Sequence, residues 1–109
     1  MKGRWLENIL EMNSYMVDID LPHSLSSEFI QLIPKQRVFV KRMMNKGIIS
    51  NYSLSYDRRK LWVVINTTTI SEVKNIMASF PIFNHIKYKI NNLLFHESNF
   101  TSIPQMWLN

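Results

Sequence analysis

The side chains best suited to proton transfer in this sequence are three histidines and a pair of aspartates. An unperturbed imidazole titrates near neutrality, so His23, His85 and His96 are candidate acids or bases. His23 and His85 flank predicted strands and are interpreted as loop residues. Asp18 and Asp20 share the outward face of a predicted strand, where a buried pair would do acid–base work and an exposed pair would be solvated edge residues.

Several other chemistries lack the residues they require. The three histidines are too widely separated to have the spacing of a metal site. The sequence contains no cysteine, and Gly3 and Gly47 are its only glycines, so it has no glycine-rich loop to cradle a phosphate. No serine lies in a nucleophile-elbow context. We therefore expect neither a metal nor a cofactor.

Positive charge is concentrated in one part of the chain. The net charge is +5, and residues 35–60 contain many lysines and arginines but a single acidic residue, Asp57. This distribution fits an anionic partner such as nucleic acid, or a solvated helix face followed by a charged hairpin turn. An RNA-binding sheet of this size would carry a glycine–aromatic motif, which residues 60–65 do not. We favour the second interpretation and expect no nucleic-acid partner.

Length and hydropathy predict one domain in the cytoplasm. The 109 residues suffice for a single core. We divide them into an N-terminal extension over 1–14, a domain over 15–98 and an apolar tail over 99–109. The opening residues have neither the apolar run nor the cleavage site of a signal peptide. No stretch approaches the roughly 20 apolar residues of a membrane span, so we expect no membrane contact.

The first half of the domain predicts a strand, a helix and a strand. Tyr15, Val17, Ile19 and Leu21 alternate with polar residues, which is typical of a half-buried strand. A helix with an apolar stripe is predicted from the N-cap Ser26 to about Lys46, with Gly47 as its C-terminal glycine. Pro34 should kink or split this helix. Residues 49–56 form the second strand, with Tyr52, Leu54 and Tyr56 on one face.

The second half repeats the pattern in the order strand, helix, strand. Residues 61–65 are apolar on both faces, which indicates a central strand. Thr69 and Glu72 form a capping box that opens a helix ending near Phe80 and Pro81. Ile82 and Phe83 are predicted to fold back beneath its end, before a last strand that reaches about Phe95. The predicted fold is α+β, a ferredoxin-like βαββαβ arrangement with both helices on one face of a four-stranded antiparallel sheet.

The other face of that sheet is predicted to be open and to carry part of an aromatic and apolar set. The set comprises Tyr52, Leu54, Tyr56, Trp62 and Val64. Because a monomer rarely exposes such a surface, we expect a homodimer or a higher homo-oligomer. The apolar tail would pack on its own subunit or, as we favour, on a neighbouring one.

Residues 80–98, FPIFNHIKYKINNLLFHES, resemble the muconolactone isomerase-like family. Members of that family end their second helix with a Leu-Pro-Leu-Phe-type turn and close the last strand on Leu-x-x-His. Pro81, Phe83, Leu93 and His96 match this pattern without a gap. The resemblance implies a dimeric α/β barrel of ferredoxin-like subunits and a cofactor-free isomerase that shifts a double bond in a small lactone acid. It also makes His96 the catalytic candidate.

The sequence differs from the family at positions where charged side chains would take part in catalysis. Lys35-Gln36-Arg37 replaces an acidic stretch, Ser53-Leu54 replaces a Trp-Arg pair, and Leu61–Val64 replaces a polar strand. Muconolactone is therefore not the expected substrate.

Two hypotheses follow for the function. The first is that the protein binds a small organic acid or lactone at the sheet face or subunit interface, in a pocket lined by Tyr52, Trp62 and His85. Isomerase-like catalysis through His96 is open under this hypothesis. The second is a non-catalytic oligomeric binding or regulatory module that kept only the scaffold.

Overall fold

The computed structural model describes residues 12–94, which form a four-stranded antiparallel sheet and two helices. The elements in chain order are β1 (Asn13–Asp20), α1 (Ser27–Asn45), β2 (Ile49–Leu54), β3 (Lys60–Thr67), α2 (Ile70–Ala78), a 3-10 turn (Phe83–His85) and β4 (Lys87–Leu93). The strands are ordered β2-β3-β1-β4 in the sheet. This topology confirms the predicted ferredoxin-like α+β fold.

Strands β1 and β3 form the centre of the sheet, as their apolar patterns predict. Along β1, Tyr15, Val17 and Ile19 are buried, while the residues between them face the opposite side. Val17 lies opposite Val63 on one neighbouring strand and Ile90 on the other. These side chains belong to the core that the sheet shares with the two helices. Burying both strands in this way excludes water from the whole helix side of the sheet centre.

Helix α1 begins and ends where its sequence signals predict. The Ser26 hydroxyl accepts a hydrogen bond from the backbone N–H of Phe29 at 3.1 Å. Gly47, with φ of +77°, donates its N–H to the carbonyl of Met44, and the N–H of Ile48 reaches the carbonyl of Met43. This pair of bonds is a Schellman motif, for which glycine is favoured because it has no Cβ to clash at positive φ.

Pro34 does not split α1, which continues as one element from Ser27 to Asn45. A proline inside a helix removes one N–H and leaves the carbonyl four residues earlier without its usual partner, here that of Ile30. Pro34 is exposed, so water has access to this side of the helix. Solvent can therefore hydrate the carbonyl without breaking the helix.

Helix α2 begins at the cap that the sequence predicts. The Thr69 hydroxyl caps the helix by accepting from the backbone N–H of Glu72 at 3.2 Å. The Glu72 carboxylate accepts from the hydroxyls of Thr67 and Thr68, so it anchors the end of β3.

The segment that follows α2 closes the core, as predicted. Phe80 and Ile82 are buried on either side of Pro81. Phe80 and Ile82 therefore contribute to the packing of the core.

The open face of the sheet carries part of the expected set, and Tyr52 and Leu54 are not in that part. Tyr52 pairs with Val63, and Leu54 pairs with Leu61, which places both on the helix side of the sheet. A β-bulge between Ile49 and Asn51 inserts one extra residue into β2. The bulge shifts the phase, so that Ile49 and Tyr52 face the same side. Trp62 and Val64 do lie on the opposite face.

None of the helices described within residues 12–94 is long and apolar enough to span a membrane.

Candidate functional site

A groove of about 740 Å³ lies on the helix side of the sheet, between α1 and β2. We call it the β2 groove. Its apolar walls include Phe29, Ile33, Val40, Met44, Leu54 and Leu61. The α1 members are spaced at four or seven residues, as one face of a helix requires. Leu54 is 55% exposed and is accessible to a ligand, whereas Phe29, Val40 and Leu61 belong to the buried core.

A buried glutamine forms the polar centre of the β2 groove. Gln36 is only 4% exposed, and its amide bridges two elements. Its Oε1 accepts the backbone N–H of Ile82 at 3.4 Å, and its Nε2 donates to the Tyr52 hydroxyl oxygen at 3.4 Å. Since a backbone N–H can only donate, the contact with Ile82 determines which end of the amide faces Tyr52.

The bridge also determines the direction of the Tyr52 hydroxyl proton. Its oxygen already accepts from Gln36, so the O–H is available to donate to an acceptor in the groove. Burial raises the pKa of Tyr52 above its ordinary value of 10.0, and this outweighs the hydrogen bond from Gln36 and the charge of Arg37, which lower the pKa. Tyr52 is therefore protonated, and a donor, at neutral pH.

Three cationic side chains line the same groove. Arg37 and Lys41 are one helical turn apart on α1, and Arg58 comes from the turn between β2 and β3. No aspartate or glutamate is among the described residues that line the groove. Cations beside a low-dielectric wall create a positive potential that attracts anions. The groove thus combines an apolar surface, one neutral donor and positive charge from two sides.

The structure separates the residues that the sequence predicted to share a pocket. Tyr52 lines the β2 groove, whereas Trp62 lies on the opposite face of the sheet beside Asp18 and Ser53. His85 lines a different cleft, of about 450 Å³. Among the predicted pocket residues, Tyr52 alone contributes to the groove.

The second cleft lies where β1, β3 and β4 meet the loops that precede α1 and β4. His85 shares it with His23 and Asp20. The His85 ring also packs edge-on against Phe29, with the ring centroids 5.6 Å apart. His96, the catalytic candidate, lies outside the described residues, as do residues 1–11 and the tail over 99–109.

The two aspartates of β1 are occupied by an ion pair. Lys60 Nζ lies 2.5 Å from Asp20 Oδ1 and 3.4 Å from Asp18 Oδ1. These hydrogen bonds and charges raise the pKa of Lys60, with the bond to Asp20 contributing most. All three side chains are partly exposed. The arrangement corresponds to the solvated interpretation of Asp18 and Asp20, not to a buried acid–base pair.

Gln36, Arg37, Lys41 and Arg58 were not predicted as site residues. The sequence does contain one signal for them, since Gln36 interrupts the otherwise apolar stripe of α1. A polar residue at a core position must find a hydrogen-bond partner, and such partners are common at functional sites. The cations were interpreted as a solvated helix face and a hairpin turn, and only the tertiary structure brings them to one groove.

The described groove residues present hydrogen-bond donors and positive charge, without a carboxylate, imidazole or thiolate base. Aspartate, glutamate, histidine and cysteine are absent from the described lining. Within residues 12–94 there is also no cluster of side chains suited to a metal ion. The available chemistry is therefore recognition, with Tyr52 able to donate to a ligand oxygen.

Comparisons with known proteins do not assign a family to this chain. No protein-family model matches it, and no curated protein matches it significantly. The class defined here is a ferredoxin-like α+β protein with a basic, apolar groove beside an edge strand.

Proposed function

We propose that this chain binds a small organic acid with an apolar body in the β2 groove. The observation that carries the proposal is the placement of Arg37, Lys41 and Arg58 around apolar walls without an acidic residue among the described lining. A carboxylate would be held by charge-assisted hydrogen bonds, and its apolar part would cover Leu54 and its neighbours. A lactone carbonyl could accept the Tyr52 proton in the same way.

The resemblance to the muconolactone isomerase-like family supports this proposal from an independent direction. The family acts on a small lactone acid, and the proposed ligand belongs to the same chemical class. We propose that the chain is a divergent member whose scaffold and ligand class persist while the original reaction does not. The described groove residues lack a base, and the loss of an acid–base group lowers rates by about 10²- to 10⁴-fold.

The proposed loss of the reaction can be tested with muconolactone itself. We expect no enzymatic double-bond shift when the purified protein is incubated with it and followed by ultraviolet absorbance. Turnover at an enzymatic rate that disappears in His96→Ala would restore the isomerase assignment and make His96 its catalytic residue.

Binding is tested by an NMR titration of the ¹⁵N-labelled protein with phenylacetate. Phenylacetamide is the matched neutral control, since it has the same ring and shape without the charge. We expect shifts in the amides of Tyr52, Leu54 and Arg37, and about tenfold weaker binding of the amide. Equal affinities, or shifts confined to other parts of the sheet, would contradict the proposal.

A homodimer through the open face of the sheet is the second part of the proposal. Trp62 is 37% exposed on that face and so presents aromatic surface that a partner could cover. The same face carries Asp18 and Asp20 on β1, with Lys87 and Lys89 opposite them on β4. A two-fold axis can place the acidic row of one copy against the basic row of the other. Such an assembly also fits the alternative function, a non-catalytic oligomeric module.

A further inference from the structure

We propose that Arg58 is a specificity-determining residue that selects carboxylate ligands, and that the β2–β3 turn holds it in an unfavourable backbone conformation for this purpose. The inference rests on the proposed binding of an organic acid in the β2 groove. It assigns the charge selectivity of that groove to one residue and explains why a turn position that suits glycine contains an arginine.

The backbone of Arg58 is the unusual feature. Its φ is +63°, and no other non-glycine residue within 12–94 has a positive φ. In this left-handed region the Cβ of an L-residue crowds the following carbonyl, so turns commonly place glycine or asparagine there. Arginine has no short polar side chain to compensate. Residues held in such conformations are concentrated at functional sites.

The surrounding turn is hydrogen-bonded in a way that stabilises this conformation. The Ser55 hydroxyl donates to Asp57 Oδ1 at 2.6 Å and accepts from the backbone N–H of Lys60 at 2.9 Å. The N–H of Arg59 donates to Asp57 Oδ1 at 3.0 Å, and the N–H of Arg58 donates to the Ser55 carbonyl at 2.9 Å. The turn therefore supplies the bonds that offset the strain at Arg58.

Arg58 lines the β2 groove from the β2–β3 turn, whereas the other two cations of the lining lie on α1. The carboxylate of Asp57, its neighbour in sequence, is engaged by Ser55 and by the backbone of Arg59. Both ion pairs among the described residues belong to Lys60, so the Arg58 guanidinium makes none there. A planar guanidinium at the groove can engage both oxygens of a carboxylate.

The decisive variant is Arg58→Gly, because strain and charge predict opposite effects. Glycine relieves the positive-φ conformation, so the thermal midpoint should rise by about 2–5 °C. The same change removes the guanidinium, so the dissociation constant for phenylacetate should rise about tenfold while that for phenylacetamide stays unchanged. A residue that served only the turn would not weaken binding when its replacement stabilises the protein.

Two control variants separate the effects. Arg58→Lys keeps the charge and the backbone strain, so its thermal midpoint should match the wild type and its loss of affinity should be smaller than that of Arg58→Gly. Arg59→Ala makes the same change in net charge, but Arg59 lines the other cleft. It should leave phenylacetate binding within twofold of wild type.

Each contrary result has a distinct meaning. If Arg58→Gly is stabilised but binds phenylacetate like the wild type, while Arg37→Ala binds weakly, the inference is wrong and the proposed function stands. If Arg58→Gly lowers the thermal midpoint, the strain argument is wrong and the inference falls with it. If phenylacetate does not shift the groove amides of the wild type at millimolar concentration, both the proposed function and this inference are overturned.

Discussion

On the helix side of the sheet, Arg37, Lys41 and Arg58 line an apolar groove in which the described residues include no acid. On the opposite face, Lys60 is bonded to both Asp18 and Asp20, and an exposed tryptophan lies beside them. The first arrangement leaves positive charge for a ligand to neutralise. In the second, Lys60 already offsets part of the acidic charge within the chain, and part of the Trp62 side chain is exposed instead. This difference is the basis for proposing a ligand site on one face and a protein contact on the other.

The largest expected effect is the loss of stability when a core residue is truncated, compared with the same truncation in the groove. Ile65 is fully buried, and Ile65→Ala should lower the free energy of unfolding by about 2–5 kcal/mol because it leaves a cavity. Leu54 is half-exposed in the groove, so Leu54→Ala should lower the free energy of unfolding by less than about 1 kcal/mol. Urea unfolding measures both. Similar losses would mean that the groove wall is part of the core, and the comparison between the faces would fail.

The next effect concerns the open face. Trp62→Asp should weaken self-association more than about 100-fold, since it places a charge at the centre of the proposed interface. Sedimentation velocity over a range of concentrations measures the effect. Tyr56→Asp is the matched control, because Tyr56 is fully exposed and lies outside the strands. A wild-type protein that sediments as a monomer at micromolar concentration would remove the proposed dimer.

The smallest expected effect is the loss of stability at alkaline pH, when a tyrosine in the groove and a lysine on the open face lose their protons. Tyr52 and Lys60 both have raised pKa values, Tyr52 through burial and Lys60 chiefly through Asp20. A group whose pKa is raised by folding stabilises the protein below its unfolded pKa. That contribution is lost as the pH rises through the folded value. We therefore expect stability to decline above about pH 10.

Tyr52→Phe and Lys60→Gln should each reduce this decline, as measured by urea unfolding at several pH values. Tyr52→Phe should also remove the tyrosinate absorbance that develops above the ordinary tyrosine range, and it should weaken phenylacetate binding about fivefold at neutral pH. Tyr88→Phe, which alters a tyrosine outside the groove lining, is its control. If Tyr52→Phe binds phenylacetate as tightly as the wild type, the Tyr52 hydroxyl does not donate to the ligand.

Local sequence signals were sufficient for the fold because each element carries its own. The alternation in β1, the cap at Ser26, the glycine at 47 and the apolar pattern of β3 each depend on neighbours in the chain. Both edges of the sheet then follow from the order of the elements. The chain could therefore be assigned to a topology without knowledge of any long-range contact.

The groove could not be predicted in the same way. The face of Tyr52 could not be assigned, because the bulge in β2 has no reliable signature in the residues around it. The bridge from Gln36 to Tyr52 and Ile82 joins positions 16 and 46 residues apart, so it exists only after the helix has packed on the sheet. Arg58 became informative only when its backbone angle was known. The role of His96 stays a prediction.

The bulge between Ile49 and Asn51 has a consequence for how this chain can change over generations. Ser50 is the extra residue, and its deletion would restore simple alternation along the strand. Ile49 and Tyr52 would then be two residues apart in a regular strand, so both would stay on the helix side. Deletion of Ser53 with the hairpin in place would instead put Tyr52 opposite Trp62 and move its side chain to the other face. Lineages that keep the groove can therefore lose the residue at position 50 but not the one at position 53.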